Sequence, residues 1–134
     1  MPKPAPIPDP ESTPFWNGAA QHRLVIQCCT SCGTFRHPPG FVCGNCGSRS
    51  LEFREVSGSG TLYSFTVSEQ AFVPGFEDSL PLVIGLVQLD VPGIVRFLCN
   101  IPLELADQLV VDMPMRVAFE ELESGEVIPQ FLPA

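Results

Sequence analysis

Alternating apolar and polar residues dominate the second half of the chain. Residues 61–68 alternate, which predicts a strand with Tyr63, Phe65 and Val67 on one face. Four further apolar segments follow, and residues typical of turns separate them. These segments predict strands at 82–90, 94–99, 115–121 and 127–131. Five strands in this length favour the five-stranded, partly open OB-fold barrel, and a small β-sandwich is the alternative.

The N-terminal part of the chain lacks this alternation and is rich in proline. Prolines occupy positions 2, 4, 6, 8, 10 and 14. Because proline fixes φ and has no N–H, they predict an extended arm that is either disordered or docked. Thr13 followed by Pro14 is typical of a helix start, so a short helix is predicted at 14–22. Phe15, Trp16 and Ala19 are predicted to lie on one face of it.

Charge is distributed unevenly along the 134 residues, whose formal net charge is −8. Residues 1–60 carry five cations and four acids, whereas residues 61–134 carry two cations and eleven acids. An acidic domain repels phosphate backbones and gains little from counterion release. The sequence therefore argues against a nucleic-acid partner, although OB-folds often bind nucleic acids.

The chain contains no apolar run of the roughly 18 residues that a transmembrane helix needs. Its proline-rich start has no apolar segment typical of a secretory signal. We therefore expect a cytoplasmic protein without a membrane partner. Cysteines in that reducing compartment are expected to bind metal or remain free rather than form disulfides.

Two C-x-x-C-G motifs are the strongest chemical signal in the sequence. Cys29 and Cys32 precede Gly33, and after ten intervening residues Cys43 and Cys46 precede Gly47. Four thiolates are a tetrahedral ligand set for Zn²⁺, and the geometry alone leaves iron as an alternative. A glycine after each pair can take positive φ, which turns backbone N–H groups toward the sulfur atoms. Four protein ligands leave no open coordination position, so the predicted role of the metal is structural.

The two remaining cysteines have no such pattern. Cys28 is expected to be a spare thiol that points away from the metal, and Cys99 is expected to be a buried core residue. No phosphate-binding loop, dinucleotide fingerprint or hydrolase motif occurs in the chain. The sequence therefore predicts no catalysis by this chain on its own.

Three motifs carry a resemblance to a known family. They are Leu24-x-x-x-Cys28-Cys29-x-x-Cys32-Gly33 with the second cysteine pair, Val56-Ser-Gly-x-Gly60-x-Leu62-Tyr63-Ser64, and Pro81-x-x-Ile84-Gly85-Leu86-Val87-x-Leu89-Asp90. Over about residues 15–131, the chain resembles the zinc-ribbon/OB-fold family once called domain of unknown function thirty-five. One departure is Asp112-Met113-Pro114, where a glycine-containing turn is expected.

The resemblance implies a mainly β protein in three parts. Residues 1–23 would form a proline-rich arm and short helix, 24–52 a rubredoxin-like zinc ribbon, and 53–134 a five-stranded OB-fold barrel. Family members accompany thiolase-fold proteins in acyl-CoA metabolism, where the larger subunit holds the catalytic residues. The cysteines of the two motifs match the metal positions of the family, and no catalytic residue carries over.

The function that this resemblance implies is a non-catalytic partner of a thiolase-like subunit that helps form its acyl-CoA site. Thiolysis or retro-aldol cleavage of a bulky steroid or aromatic acyl-CoA is the favoured reaction. A stand-alone acyl-CoA scaffold is one alternative, and a nucleic-acid-binding module is another.

Five side chains are candidates for contact with acyl-CoA. Arg36, Arg49 and Arg54 are the cations in or near the ribbon that could meet the phosphates. Phe72 and Phe76 could line the acyl or pantetheine path. Alternatively, both rings could fold back onto the barrel core as a lid.

Overall fold

The computed structural model describes residues 2–134, which form one α-helix, eight strands and two short 3-10 helices. The helix and strands are α1 (Thr13–Ala20), β1 (Val25–Cys29), β2 (Phe35–Arg36), β3 (Leu51–Glu55), β4 (Ser59–Ser68), β5 (Leu82–Leu89), β6 (Arg96–Ile101), β7 (Pro114–Glu121) and β8 (Val127–Pro133). The 3-10 helices are Glu77–Ser79 and Leu103–Gln108. Within residues 2–134, no helix has the length and apolar character needed to cross a membrane.

The strands form two antiparallel sheets. The first has the order β2-β1-β3 and carries the cysteine motifs, and the second has the order β6-β5-β4-β7-β8. This second sheet confirms the predicted mainly β fold with five strands after the ribbon. β3 pairs with β1 along its whole length, so this strand crosses the limit predicted between residues 52 and 53.

A β-bulge in β4 corrects the predicted alternation of that strand. Leu62 pairs with Val87 but Ser64 pairs with Leu86, so one extra residue, Tyr63, is inserted. The prediction that Tyr63 shares a face with Phe65 is therefore wrong. Phe65 lies opposite Gly85 on the inner side of the sheet, whereas Tyr63 contacts a side chain on the outer side.

The turn before β7 keeps the backbone conformation that a glycine would favour. Asp112 has φ 73°, in the left-handed region, and its N–H donates to the carbonyl oxygen of Leu62 at 2.8 Å. Aspartate tolerates this region better than most residues. The departure from the family pattern at this position thus leaves the turn intact.

The second sheet curls into a barrel that stays open between β6 and β8, and we call this gap the seam. The hydrogen bond from Ala134 N–H to Pro114 O shows which residues of β8 bond to β7. The residues that alternate with them direct their backbone N–H and C=O groups toward the seam. Two of these are Pro129 and Pro133, which have no N–H to donate. β8 therefore cannot complete a continuous ladder with β6.

Side chains bridge the seam in place of a ladder. The N–H of Asn100 donates to Gln130 Oε1 at 2.8 Å, and Gln130 Nε2 donates to Glu120 Oε1 at 2.9 Å. Lys3 Nζ lies 3.1 Å from Glu120 Oε2. The proline-rich arm is therefore docked in the structure, which decides between the two states that the sequence left open.

An aromatic stack joins the helix, the ribbon and the barrel. His37 packs against both Phe15 of α1 and Phe97 of β6, with ring centroids 4.7 and 4.2 Å away. The backbone adds a second connection, since the Phe35 N–H donates to Pro92 O at 2.9 Å. Because Phe15 and Phe97 belong to the buried core, the ribbon packs on the same core as the barrel.

A buried glutamine holds the loop between the two cysteine motifs. Gln27 on β1 donates from Nε2 to the carbonyl oxygen of Gly40 and accepts the Gly40 N–H at Oε1, both at 2.9 Å. Gln27 is only 6% exposed, so water cannot replace these bonds easily. The side-chain amide thus pairs with the loop backbone at Gly40 as a neighbouring strand would.

We predict that Gln27→Leu lowers the free energy of unfolding by about 1–3 kcal/mol, because both polar groups of Gly40 lose their partner. Thermal or urea unfolding of the zinc-loaded chain measures this. Gln108→Leu, on an exposed glutamine, is the control and should change stability by less than about 0.5 kcal/mol. Equal stability of the two variants would contradict the role given to Gln27.

Candidate metal centre and apolar cavity

The two cysteine motifs form two similar tight turns. The N–H of Gly33 donates to Cys29 O at 2.8 Å, and that of Gly47 donates to Cys43 O at 2.9 Å. Both glycines have positive φ, 77° and 76°, as their place in the motifs predicts. Residues with a Cβ would be strained in this conformation. Each turn directs its pair of thiols toward the other turn.

The sulfur atoms come together in a geometry that fits a metal. The Sγ atoms of Cys29, Cys32, Cys43 and Cys46 all lie within 4.8 Å of one another. Two of the distances, Cys29 to Cys46 and Cys32 to Cys43, are both 3.6 Å. A tetrahedral zinc site with Zn–S bonds of about 2.3 Å has sulfur atoms roughly 3.8 Å apart. The four cysteines could therefore hold Zn²⁺ after a small relaxation.

Hydrogen bonds to Cys32 Sγ favour the thiolate form of that residue. The backbone N–H of Asn45 donates to Cys43 Sγ at 3.4 Å, and its side-chain amide donates to Cys32 Sγ at 3.6 Å. Together with the Thr34 hydroxyl, the largest contributor, the amide lowers the pKa of the Cys32 thiol to about 6. Thiolate is the form that binds metal. Four protein sulfurs would fill the tetrahedral sphere of a bound metal, so a structural role remains the prediction.

The other two cysteines lie outside this cluster, as the sequence predicts. Cys28 is completely buried on β1, and burial raises the pKa of its thiol. Cys99 belongs to the barrel core, and burial raises its pKa to about 11. Both are therefore neutral thiols at pH 7, which makes them poor nucleophiles.

A cavity of about 700 Å³ lies over the seam of the barrel. Its walls come from α1, the ribbon, the loop after β4, the edge of β6 and the residues of β8 beside it. The aromatic residues that line it are Phe15, Trp16, His37, Phe72, Phe76 and Phe97. A mostly apolar cavity of this volume falls in the range of small-molecule sites.

The cavity contains both phenylalanines that the sequence singles out. Phe72 is 85% exposed at its rim, and Phe76 is half-buried beneath Lys3, whose Nζ lies 5.7 Å from the ring centroid. Phe72 is therefore not folded onto the core. Contact of either ring with acyl-CoA stays a prediction.

The three candidate arginines lie elsewhere, since none of them lines this cavity. Arg54 is paired with Glu52, and Arg36 donates to the carbonyl oxygens of Pro38 and Val42. Arg49 is exposed. Their contact with acyl-CoA likewise remains a prediction.

The cation that does line the cavity is Arg96, which sequence reasoning missed. Its guanidinium lies 3.9 Å from the ring centroid of Tyr63, and its Nε donates to Gln88 Oε1 at 3.0 Å. Among the described residues, it forms no ion pair with a carboxylate. The one available signal was an arginine inside an apolar segment of an otherwise acidic domain.

His37 is a second lining residue, and its position in the sequence between Arg36 and Pro38 gives no sign of this place. Burial between aromatic rings lowers the pKa of its imidazole to about 4. The ring is therefore neutral at pH 7 and presents an uncharged surface to the cavity.

Comparison with known protein families decides what the chain is. Residues 16–52 match the ChsH2 rubredoxin-like zinc ribbon domain, and residues 53–120 match the ChsH2 C-terminal OB-fold domain. This chain belongs to the ChsH2 family. The two matches confirm the predicted zinc ribbon and OB-fold, and with the sulfur geometry they support zinc as the metal.

Individual relatives extend this result. The chain is 34% identical over 132 residues to a probable enoyl-CoA hydratase alpha subunit of Thermomonospora curvata. It is 34% identical over 105 residues to the 3-oxo-4,17-pregnadiene-20-carboxyl-CoA hydratase alpha subunit of Mycobacterium tuberculosis. These matches cover 98% and 78% of this chain, but only 40% and 32% of the two relatives. The chain thus spans less than half the length of either.

A solved structure matches the chain over nearly its full length. A chain of the Ltp2-ChsH2(DUF35) aldolase superposes with a TM-score of 0.82 at 33% sequence identity. The match covers 96% of this chain and 98% of that one. The family that the sequence motifs suggested is therefore the correct one.

We predict that Cys43→Ser abolishes stoichiometric zinc binding and unfolds the ribbon, because metal binding supplies the folding energy of so short a segment. Elemental analysis should give one zinc per wild-type chain and far less for the variant. Cys99→Ala, which removes a thiol outside the cluster, should keep the zinc. A full zinc content in Cys43→Ser would contradict the assignment.

We also predict a pH dependence from His37. Its pKa is about 4 when folded and near 6.5 when unfolded, so the unfolded chain binds the proton first as pH falls. The stability is complete above pH 6.5, and up to about 3 kcal/mol is lost between 6.5 and 4. His37→Phe keeps the stacking and should lack this part of the slope, as urea unfolding at each pH would measure. Identical slopes for both proteins would contradict the prediction.

Proposed function

We propose that this chain is a non-catalytic, zinc-binding subunit that assembles with a thiolase-fold protein and helps to form its acyl-CoA site. The observation that carries the proposal is its likeness to one chain of the Ltp2-ChsH2(DUF35) aldolase, over 98% of that chain. The two relatives called hydratase alpha subunits support the idea of a subunit in acyl-CoA metabolism.

The chemistry of the cavity residues supports a role without catalysis. The thiol of Cys99 has a pKa of about 11, and His37 is neutral with its ring packed against two aromatic side chains. Neither residue has a hydrogen-bonded partner of the kind that a nucleophile and base pair needs. The reacting groups are therefore expected on the partner subunit, with this chain supplying binding surface.

The reaction that we favour is cleavage of a bulky acyl-CoA by retro-aldol chemistry or thiolysis. The name of the aldolase relative supports the first, and a steroid acyl group is supported by the name of the M. tuberculosis relative. We do not propose hydration for this chain, because it matches less than half of each hydratase subunit, and these subunits are more than twice as long.

A stand-alone acyl-CoA scaffold is the second candidate function. The apolar cavity favours it, since such a cavity can bind a ligand without help from a partner. Stable monomeric behaviour together with tight acyl-CoA binding would distinguish this function from the first.

Native mass spectrometry of the chain purified from its own source cells tests the proposal. We predict a complex with a larger chain and one zinc per 14.6 kDa subunit. Acyl-CoA cleavage should require both chains, because neither the binding surface nor the catalytic groups suffice alone. A lone zinc-bearing monomer, with a partner fully active in its absence, would contradict the subunit role.

A further inference from the structure

The edge of β6 presents unpaired backbone groups to the cavity. Leu89 N–H donates to Val95 O, and this bond shows which residues of β6 are hydrogen-bonded to β5. Bonded pairs alternate along an antiparallel ladder, so every second residue of β6 directs its N–H and C=O away from β5. These residues are Arg96, Leu98 and Asn100.

Only the last of these three finds a partner across the seam. Asn100 donates its N–H to the Gln130 side chain, but within residues 2–134 no hydrogen bond crosses the seam from the backbone of Arg96 or Leu98. β8 supplies no N–H donor of its own at Pro129, which lines the cavity. A short stretch of edge, two residues long, therefore remains available inside the cavity.

The same edge carries the one cation among the described residues that lines the cavity. The Arg96 guanidinium is held by Tyr63 and Gln88 and lacks an acidic partner, although the barrel domain is strongly acidic. Tyr63 and Gln88 do not line the cavity, so the guanidinium lies at its margin. An uncompensated guanidinium there suits a phosphate group, which it can bind through two N–H donors.

We propose that this edge binds the pantetheine arm of coenzyme A, with the Arg96 guanidinium on the phosphates. The proposal rests on the acyl-CoA function given above. Pantetheine is an extended chain with two amides, which can exchange hydrogen bonds with the backbone of Leu98 and its neighbours as a short strand would. Its thioester end then leaves the cavity past Phe72 and Phe76 toward the partner subunit.

A ligand fits this edge better than an added strand of a partner protein. α1 lies on one side of the cavity and the loop after β4 on another, which leaves pairing for only two residues. Strands in sheets are commonly five or six residues long. The cavity volume of about 700 Å³ also matches a small-molecule site.

Affinities for coenzyme A and for pantetheine, which has no phosphate, test the proposal on the chain and on its complex. Leu98→Pro removes the outward N–H, and Leu98→Ala is its matched control because it keeps the N–H. Leu98→Pro should bind both probes about tenfold more weakly than Leu98→Ala. Arg96→Gln should weaken binding of coenzyme A by about tenfold or more and leave pantetheine unchanged.

A second measurement does not depend on a proline variant that could fail to fold. In amide NMR spectra of the zinc-loaded wild-type chain, pantetheine should shift the Leu98 resonance more than that of Val110, which is exposed outside the cavity. An unmoved Leu98 resonance in the pantetheine-bound chain would overturn the proposal.

The affinity results separate failure of this subsite from failure of the acyl-CoA function. If the wild-type complex binds coenzyme A and all three variants bind it equally well, the subsite is wrong and the function stands. If neither the chain nor its complex binds coenzyme A, both are wrong. Loss of the partner in Leu98→Pro with unchanged coenzyme A affinity would assign the edge to a partner strand and overturn the proposal.

Discussion

The tetrahedron of four thiolates is the constraint on which the rest of the molecule depends. A ribbon of about 30 residues cannot bury enough apolar surface to fold alone, and a structural zinc site supplies about 10–16 kcal/mol. The two turns at Gly33 and Gly47 put the sulfur atoms in place. β2 and His37 lie in the segment between these turns, soon after the first one. A metal bound by these thiolates would therefore also position the aromatic ring that joins the ribbon to Phe97 of the barrel.

The barrel is open for a reason that lies in its own sequence. Pro129 and Pro133 remove two donors from the side of β8 that faces β6, and Gln130 replaces part of the missing ladder with a side chain. An open seam normally invites pairing with other chains. Here α1 and the docked arm cover one side of it, so the opening becomes a cavity rather than a free edge.

The fold follows largely from local patterns in the sequence, whereas the cavity does not. Spacing alone identifies the four cysteines, because a metal site needs only two turns and four like ligands. Strand alternation finds all five barrel strands but misplaces Tyr63, since a bulge depends on pairing between strands. Arg96 and His37 are missed for the same reason. Their neighbours in space come from segments far apart in the chain, and no single window of sequence contains them.

The electrostatics of the cavity explain why binding and catalysis would be divided between two subunits. His37 and Cys99, the ionisable side chains nearest its core, are held neutral by burial. With a pKa of about 4, His37 is a weak base, and with a pKa of about 11, Cys99 keeps its proton at pH 7. The same burial keeps the cavity apolar and suited to an acyl or pantetheine chain. Rendering either residue reactive would need a charged partner inside the cavity, and that charge would be costly to bury. Apart from Arg96, the side chains that line the cavity are thus uncharged at pH 7, which fits the proposed division between a binding surface on this chain and reacting groups on another subunit.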